Sequence, residues 1–217
     1  MNLTKILTKW IPHELTEDQQ QFRIDACNNN LLRYRRHPHL LKRTLAIDET
    51  WVSLYTAPKG EKRKVWIAKG EEPPTVIRGD IHGHKRMLIM AMDFDGIAFW
   101  ELLGDKQFLK AETYRQFLER NIPKWLCRNS HKKALIVHEN GHPHKSPTVT
   151  QWLEENEKEE WGHPAYSPDL QSCDFNCFGP LKLHLSGNKY TNWDNLEQPI
   201  RLICRDGTID GYLGILP

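Results

Sequence analysis

The chain has 217 residues, 39% of them hydrophobic and 27% charged, enough for one ordinary domain with a core or two very small ones. No stretch approaches the roughly 18 to 20 consecutive apolar residues of a membrane span, and the opening Met1-Asn2-Leu3-Thr4-Lys5 lacks the pattern of a secretory leader. A soluble intracellular protein with no membrane partner is expected. Its 5 cysteines form no Cys-x-x-Cys pair, which argues against a disulfide framework or a zinc ribbon. With 30 basic against 28 acidic residues the net charge is +2, too near balance to announce a nucleic-acid partner by itself.

The first elements are helical. Pro12 prevents a continuous helix through Trp10-Ile11-Pro12-His13-Glu14-Leu15, and Thr16 then offers an N-cap with Glu17 and Asp18 in the first turn. The pattern predicts a helix from there to about Arg36, carrying Phe22, Ile24, Ala26, Leu31 and Leu32. Arg33, Arg35, Arg36, Lys42 and Arg43 follow with no acid among residues 33 to 43, and taken alone this cluster reads as a solvated face.

Strands come next. Leu45 to Tyr55 is rich in branched and aromatic residues and is closed by Pro58-Lys59-Gly60. Arg63 to Ala68 is expected as a second short strand. The runs Arg86 to Met92 and Ile97 to Leu103 flank Asp95-Gly96, a strong hairpin signal, with Asp93 and Phe94 able to lengthen the loop. His82-Gly83-His84 reads as the loop approaching that hairpin.

Helix and strand then alternate. Tyr114, Phe117, Leu118, Ile122 and Trp125 fall at helical spacing between Ala111 and about Leu126, with Pro123 as a kink or end. Ala134 to His138 is a short buried strand running into Glu139-Asn140-Gly141. Ser146-Pro147 opens a helix with proline at its first position, Gly162 to Tyr166 is expected as a last strand, and Cys173 to Leu185 as a last helix. An antiparallel meander entering β-α-β-α units implies an α/β fold, a mixed sheet flanked by helices. A ribonuclease-H-like sheet has this order, as do other α/β folds.

Three acids sit at the ends of these elements. Asp48 interrupts an apolar strand, Glu139 ends the strand from Ala134, and Asp174 shares a helical stripe with Phe178, Leu181 and Leu185, at offsets of 4, 7 and 11. Each alone has an ordinary account as a strand-end or helix-start acid. Together, carboxylates from two strand ends and a helix can converge at one sheet edge, where such oxygen ligands hold hard Mg²⁺ or Mn²⁺ ions. Two such ions can activate a water or a 3′-hydroxyl and stabilise the leaving oxygen of a phosphodiester. His138, His142 and His144 with Cys173 and Cys177 show no standard zinc spacing, and no strand-turn-helix elbow surrounds a Ser or Cys nucleophile.

Four ordered motifs resemble the catalytic region of mariner-family DNA transposases. Trp10-Ile11-Pro12-His13-Glu14-Leu15 is similar to the family's Trp-Val-Pro-His-Glu-Leu. Ile47-Asp48-Glu49-Thr50-Trp51 resembles the segment around its first catalytic aspartate. His138-Glu139-Asn140-Gly141-His142-Pro143-His144 aligns with His-Asp-Asn-Ala-Arg-Pro-His, and Tyr166-Ser167-Pro168-Asp169-Leu170 matches Tyr-Ser-Pro-Asp-Leu, with Asp174 on the third catalytic aspartate. The 34 residues between Glu139 and Asp174 are the separation that marks mariner elements.

The resemblance implies a helical lead-in over residues 1–43 and a ribonuclease-H-like catalytic domain over 44–217. It implies metal-dependent DNA cleavage and strand transfer in the nucleus by a homodimer. Asp48, Glu139 and Asp174 would be the catalytic, metal-holding residues for Mg²⁺ or Mn²⁺, and no small-molecule substrate is implied. His138 and His144 match family positions and shape the loop around the acids. Arg33, Arg35, Arg36, Lys42, Arg43, Lys59, Lys62, Arg63 and Lys64 become candidate DNA phosphate contacts. The chain departs from the family at Glu139, where aspartate stands, and at Gly141-His142, where Ala-Arg stands. It also lacks a counterpart of the family's amino-terminal helix-turn-helix region. A second reading stays open on these grounds: a catalytically inactive, transposase-derived DNA-binding or interaction module.

Overall fold

A computed structural model describes residues 14–76 and 83–206. Trp10 to His13, His82 and the residues after Asp206 lie outside the described residues. The first helix, α1 (Glu17–Arg36), begins where Thr16 predicts. The Gln19 N–H donates to Thr16 Oγ1 at 3.3 Å and the Thr16 N–H to Gln19 Oε1 at 3.0 Å, a reciprocal cap. None of its residues is buried. Ion pairs hold it to the rest of the chain: Arg23 grips Asp169 through both carboxylate oxygens, and Arg33 meets Glu159 at 2.9 Å.

Five strands form one sheet in the order β3-β2-β1-β4-β5. They are β1 (Thr44–Ser53), β2 (Lys85–Asp93), β3 (Gly96–Leu102), β4 (Leu135–Val137) and β5 (Glu159–Trp161). The first three are antiparallel, while β4 joins β1, and β5 joins β4, in parallel. The hairpin turns where Asp95-Gly96 predicts: Gly96 has φ +130°, and the Asp95 N–H donates to Asp93 Oδ1 at 2.9 Å. Helices α2 (Ala111–Arg128) and α3 (Pro147–Glu155) cover one face. The other carries α4 (Gly179–Leu185), the wide helical turn Cys173–Phe178 before it, and α5 (Trp193–Asp206).

β1 and β2 are buried on both sides, so they read as near-continuous apolar runs rather than alternating ones. Leu45, Ile47, Met87, Ile89 and Ala91 pack on α2 and α3, with Tyr114, Phe117 and Trp125 at the centre. Val52, Leu88, Met90 and Met92 pack on Cys173, Cys177, Leu181, Leu196 and Ile200. The molecule has a core on each face of the sheet instead of a single one.

Three segments differ from the sequence reading. Arg63 to Ala68 is not a strand: a short 3-10 turn, Gly60–Arg63, leads into exposed irregular chain that leaves Val65, Trp66 and Ile67 in solvent. Both edges of β1 are already taken by β2 and β4, so a β-prone sequence following it finds no free edge on the strand it leaves. The last strand lies at Glu159–Trp161, before the expected Gly162 to Tyr166. Its two glutamates are poor strand formers, but Arg33 and Arg43 meet Glu159, Lys145 meets Glu160, and Trp161 closes over Leu40 and Leu135. Helix α5, with Pro199 inside it, has no counterpart in the expectation. Its stripe of Leu196, Ile200 and Ile203 was the available signal, with the Asn192 side chain accepting from the Asn195 N–H at 2.8 Å.

Candidate active site beside the central strand

Asp48 lies in mid-β1 and points to the face that α4 and α5 cover, between the buried Ala46 and Thr50 of the same face. The parallel register pairs Ala46 with Val137. Two residues further on, the same register sets Glu139 beside Asp48, just past the end of β4. Asp174 enters from the wide helical turn Cys173–Phe178, packed against β1. The Cys173 thiol touches the Ala46 carbonyl at 3.4 Å, and Gln171 Nε2 donates to the Ile47 carbonyl at 3.1 Å. These two contacts tie the segment carrying Asp174 to the strand carrying Asp48. Helical turns widened in this way recur at functional sites.

Charge is unmet here. Asp48 is only 6% exposed, and burial, reinforced by Asp174, pushes its carboxyl up to about 8 in spite of the Glu49 N–H donated at 2.8 Å. Burial also raises Asp174, while Asp48 and the Lys182 ammonium pull it back. Glu139 is raised by burial and by the charges of Asp174 and Glu49. All three acids therefore sense one another where β4 ends beside the middle of β1; Asp48 is mid-strand and not at the strand end that the sequence reading expects. Among the described residues neither Asp48 nor Asp174 has an ion-pair partner, and no three His, Cys, Asp or Glu side chains are gathered tightly enough to hold an ion as they stand. Hard oxygen donors close enough to raise one another, one of them buried and two half-buried, have the chemistry of a divalent-cation site.

The histidines lie on the opposite face. His138 is fully buried, its Nδ1 2.8 Å from the Tyr114 hydroxyl, and burial holds its ring down to about 3. His144 stacks edge-on against Tyr114 and brings Nε2 to 3.3 Å from Glu49 Oε2. Cys173 and Cys177 belong to the apolar core beside Met90. His142 is exposed. Glu49, adjacent to Asp48, has no role in the sequence reading; the strand's alternation, which turns neighbours to opposite faces, was the signal that it serves the histidine side.

The predicted phosphate-binding basics divide. Arg33 and Arg43 are engaged with Glu159, and Lys62 Nζ donates to the carbonyls of His184 and Ser186 at 2.8 and 3.0 Å, capping α4. Arg35, Arg36, Lys42, Lys59, Arg63 and Lys64 are exposed. Among the described residues no helix is long and apolar enough to cross a membrane.

Comparison with known proteins agrees with this geometry. Residues 58–137 match the family model described as transposase, partial DDE domain. The chain is 28% identical over 212 residues to the histone-lysine N-methyltransferase SETMAR of Homo sapiens, covering 96% of this chain and 30% of that protein. It is also 28% identical over 197 residues to the mariner Mos1 transposase of Drosophila mauritiana, covering 88% of this chain and 55% of that one. It thus spans about a third to a half of these relatives' lengths. Among solved structures, a Mos1 transposase paired-end complex with the left transposon end superposes over 99% of this chain and 62% of its own, with TM-score 0.84 and 26% identity. The Mos1 catalytic domain superposes over 94% and 90%, with TM-score 0.72 and 25% identity. In motif order, sequence and fold the chain is similar to the mariner-family DNA transposases, and it has the ribonuclease-H-like fold of their catalytic domain.

Proposed function

We propose that the chain is the catalytic part of a cut-and-paste transposase, cleaving and joining DNA strands with divalent metal. Residues 44–217 would form the catalytic domain and 1–43 its lead-in. The observation that carries this reading is the Asp48–Asp174 pair: a buried acid beside a half-buried one, neither in an ion pair among the described residues, in the fold of that enzyme class. Asp48 and Asp174 would hold Mg²⁺ or Mn²⁺, with Glu139 as the third oxygen donor. Both ions occur in the solved paired-end complexes of the Mos1 relative. Bound there, such ions polarise a phosphodiester and lower the pKa of an attacking water or hydroxyl. The chain's own part is to fix the acids through Gln171 and Cys173 and to keep bulk water from Asp48. DNA, a second copy of the chain and a nuclear site of action follow from the same reading. The exposed Arg35, Arg36, Lys42, Arg63 and Lys64 would serve as backbone contacts, positioning DNA without reading sequence.

The test is nicking of supercoiled plasmid with Mg²⁺ and with Mn²⁺, beside Asp48→Ala. Metal-dependent nicking that the substitution removes supports the enzyme. A second reading, an inactive DNA-binding module, is favoured by the glutamate at position 139 and by the absence of a tight three-acid cluster among the described residues. DNA binding with no response to either ion would select it.

A further inference from the structure

Near the acids, on the same face of the sheet, lies a second feature that the cleavage chemistry does not use. The end of β1, the loop after it and α4 enclose a cavity of about 210 Å³. Val52, Leu185, Thr56, Lys59 and Lys182 are among the residues that line it. Lys182 is half-buried, and its ammonium sits within the field of Lys59, Asp174 and Asp48. Among the described residues neither lysine has a carboxylate in ion-pair contact.

Two ammonium groups facing one small hole, one of them partly dehydrated, repel each other unless an anion stands between them. The volume limits what that anion is. Sites for drug-sized ligands run from roughly 300 Å³ upward, so this one suits a single small group. A threonine beside two lysines suits the oxygens of a phosphate. The site is also aimed. Lys182 is two helical turns past Asp174, and helical side chains lean toward the amino terminus, which brings its ammonium back toward the acids. Along β1, Val52 in the cavity lining is four residues from Asp48, about 13 Å.

We propose that the Lys59–Lys182 cavity binds a backbone phosphate of the DNA strand a few nucleotides from the one presented to Asp48 and Asp174. The inference rests on the reading of the chain as a DNA-processing protein. In it Lys59 and Lys182 are positioning residues: they hold the strand in register and touch no reacting atom.

Two measurements test it separately. The first needs no DNA: thermal unfolding in inorganic phosphate against chloride at equal ionic strength, for the wild type, Lys59→Gln, Lys182→Gln and, as a control on the far face, Lys124→Gln. General exclusion of phosphate from the surface stabilises all four alike, so the cavity is read from the extra shift that the wild type and Lys124→Gln show and the other two lose. The second is duplex affinity against salt. Each lysine that neutralises a phosphate contributes about 0.9 to the slope of log affinity on log salt. Each cavity variant is therefore expected to flatten the slope by about 1 and to lose roughly fourfold less affinity between 50 and 200 mM salt. Wild-type slopes in both cavity variants overturn the proposal. Loss of the phosphate shift in a chain that binds no duplex keeps the anion site and overturns the DNA reading instead. If Lys182→Gln fails to fold, the exposed Lys59 carries both measurements alone.

Discussion

Asp48 and Glu49 are neighbours in one strand and meet opposite environments. Glu49 turns toward α2 and α3, where His144 stands 3.3 Å away and Tyr114 packs against that histidine. Asp48 turns toward α4 and meets another acid, with burial and that neighbour together raising it to about 8. On the first face the fold supplies an acid with a partner that can carry the opposite charge. On the second it withholds one. An acid beside a base supports the fold, whereas a buried acid placed against a second acid destabilises it, an arrangement that clusters at binding and catalytic sites.

The largest effect should separate the two neighbours by activity. Asp48→Ala or Asp174→Ala is expected to lower metal-dependent nicking by a hundredfold or more, the equivalent of about 3 kcal/mol of transition-state stabilisation. Glu49→Gln keeps its contact distance to His144 and should cost no more than about tenfold. Plasmid nicking rates for the three variants check this, and equal losses at Asp48 and Glu49 would erase the distinction between the faces.

Stability should move the opposite way. An unfolded aspartate titrates near 3.9, so the folded chain, with Asp48 raised to about 8, holds an extra proton between those values. Stability contributed by this group is therefore lost as pH rises from about 4 to about 8. In EDTA, Asp48→Asn removes that loss and should gain on the wild type progressively across this window, reaching a few kcal/mol at its upper end. Urea midpoints at several pH values measure it. Added Mg²⁺ should stabilise the wild type and not the variant. A gain that is the same at pH 5 and pH 8 would show that Asp48 is not the titrating group.

Glu139 sharpens the acid side of the comparison. Its extra methylene moves the carboxylate by roughly 1.5 Å from a backbone position set by the register with β1, where sites of this kind tolerate errors of about 0.5 Å. Glu139→Asp is expected to raise nicking about tenfold, or about 1.4 kcal/mol. The next turn has also adjusted: a Cβ at Gly141 would lie 3.1 Å from the His144 ring, so Gly141→Ala should partly offset the gain by pressing on that ring. Nicking by the single and double variants decides it, and no gain from Glu139→Asp would leave the substitution irrelevant to the site.

What the sequence disclosed follows the same division. The hairpin at Asp95-Gly96, the cap at Thr16 and the stripe from Asp174 to Leu185 were legible because each depends on local chemistry: a turn, a cap, a period; that Asp48, Glu139 and Asp174 sense one another depends on how β1, β4 and the turn before α4 pack. Residues 63–68 were misread because a strand needs a partner, and whether β1 had a free edge is a property of the whole sheet. Glu159–Trp161 was missed for the converse reason, since the partners of its glutamates, Arg33, Arg43 and Lys145, are distant in the chain or outside the strand. The opposed fates of Asp48 and Glu49 needed the strand's alternation together with the identity of what covers each face.

The smallest effect concerns two lysines only three residues apart. Lys59 opens into the cavity beside α4, while Lys62 spends its ammonium on the carbonyls of His184 and Ser186 at the end of that helix. A cation there satisfies acceptors that the last turn leaves free and meets the negative end of the helix dipole. Lys62→Gln should therefore cost about 1 kcal/mol, a fall of roughly 2 to 4 °C in Tm for a chain of this size, and leave the salt dependence of duplex binding unchanged. Lys59→Gln should do the reverse, changing the slope and sparing Tm in chloride. Calorimetry and binding on the two variants check the pair. If Lys62→Gln flattened the slope as well, its ammonium would be leaving the helix end for the DNA, and the cap seen on α4 would be a resting position of the unbound chain.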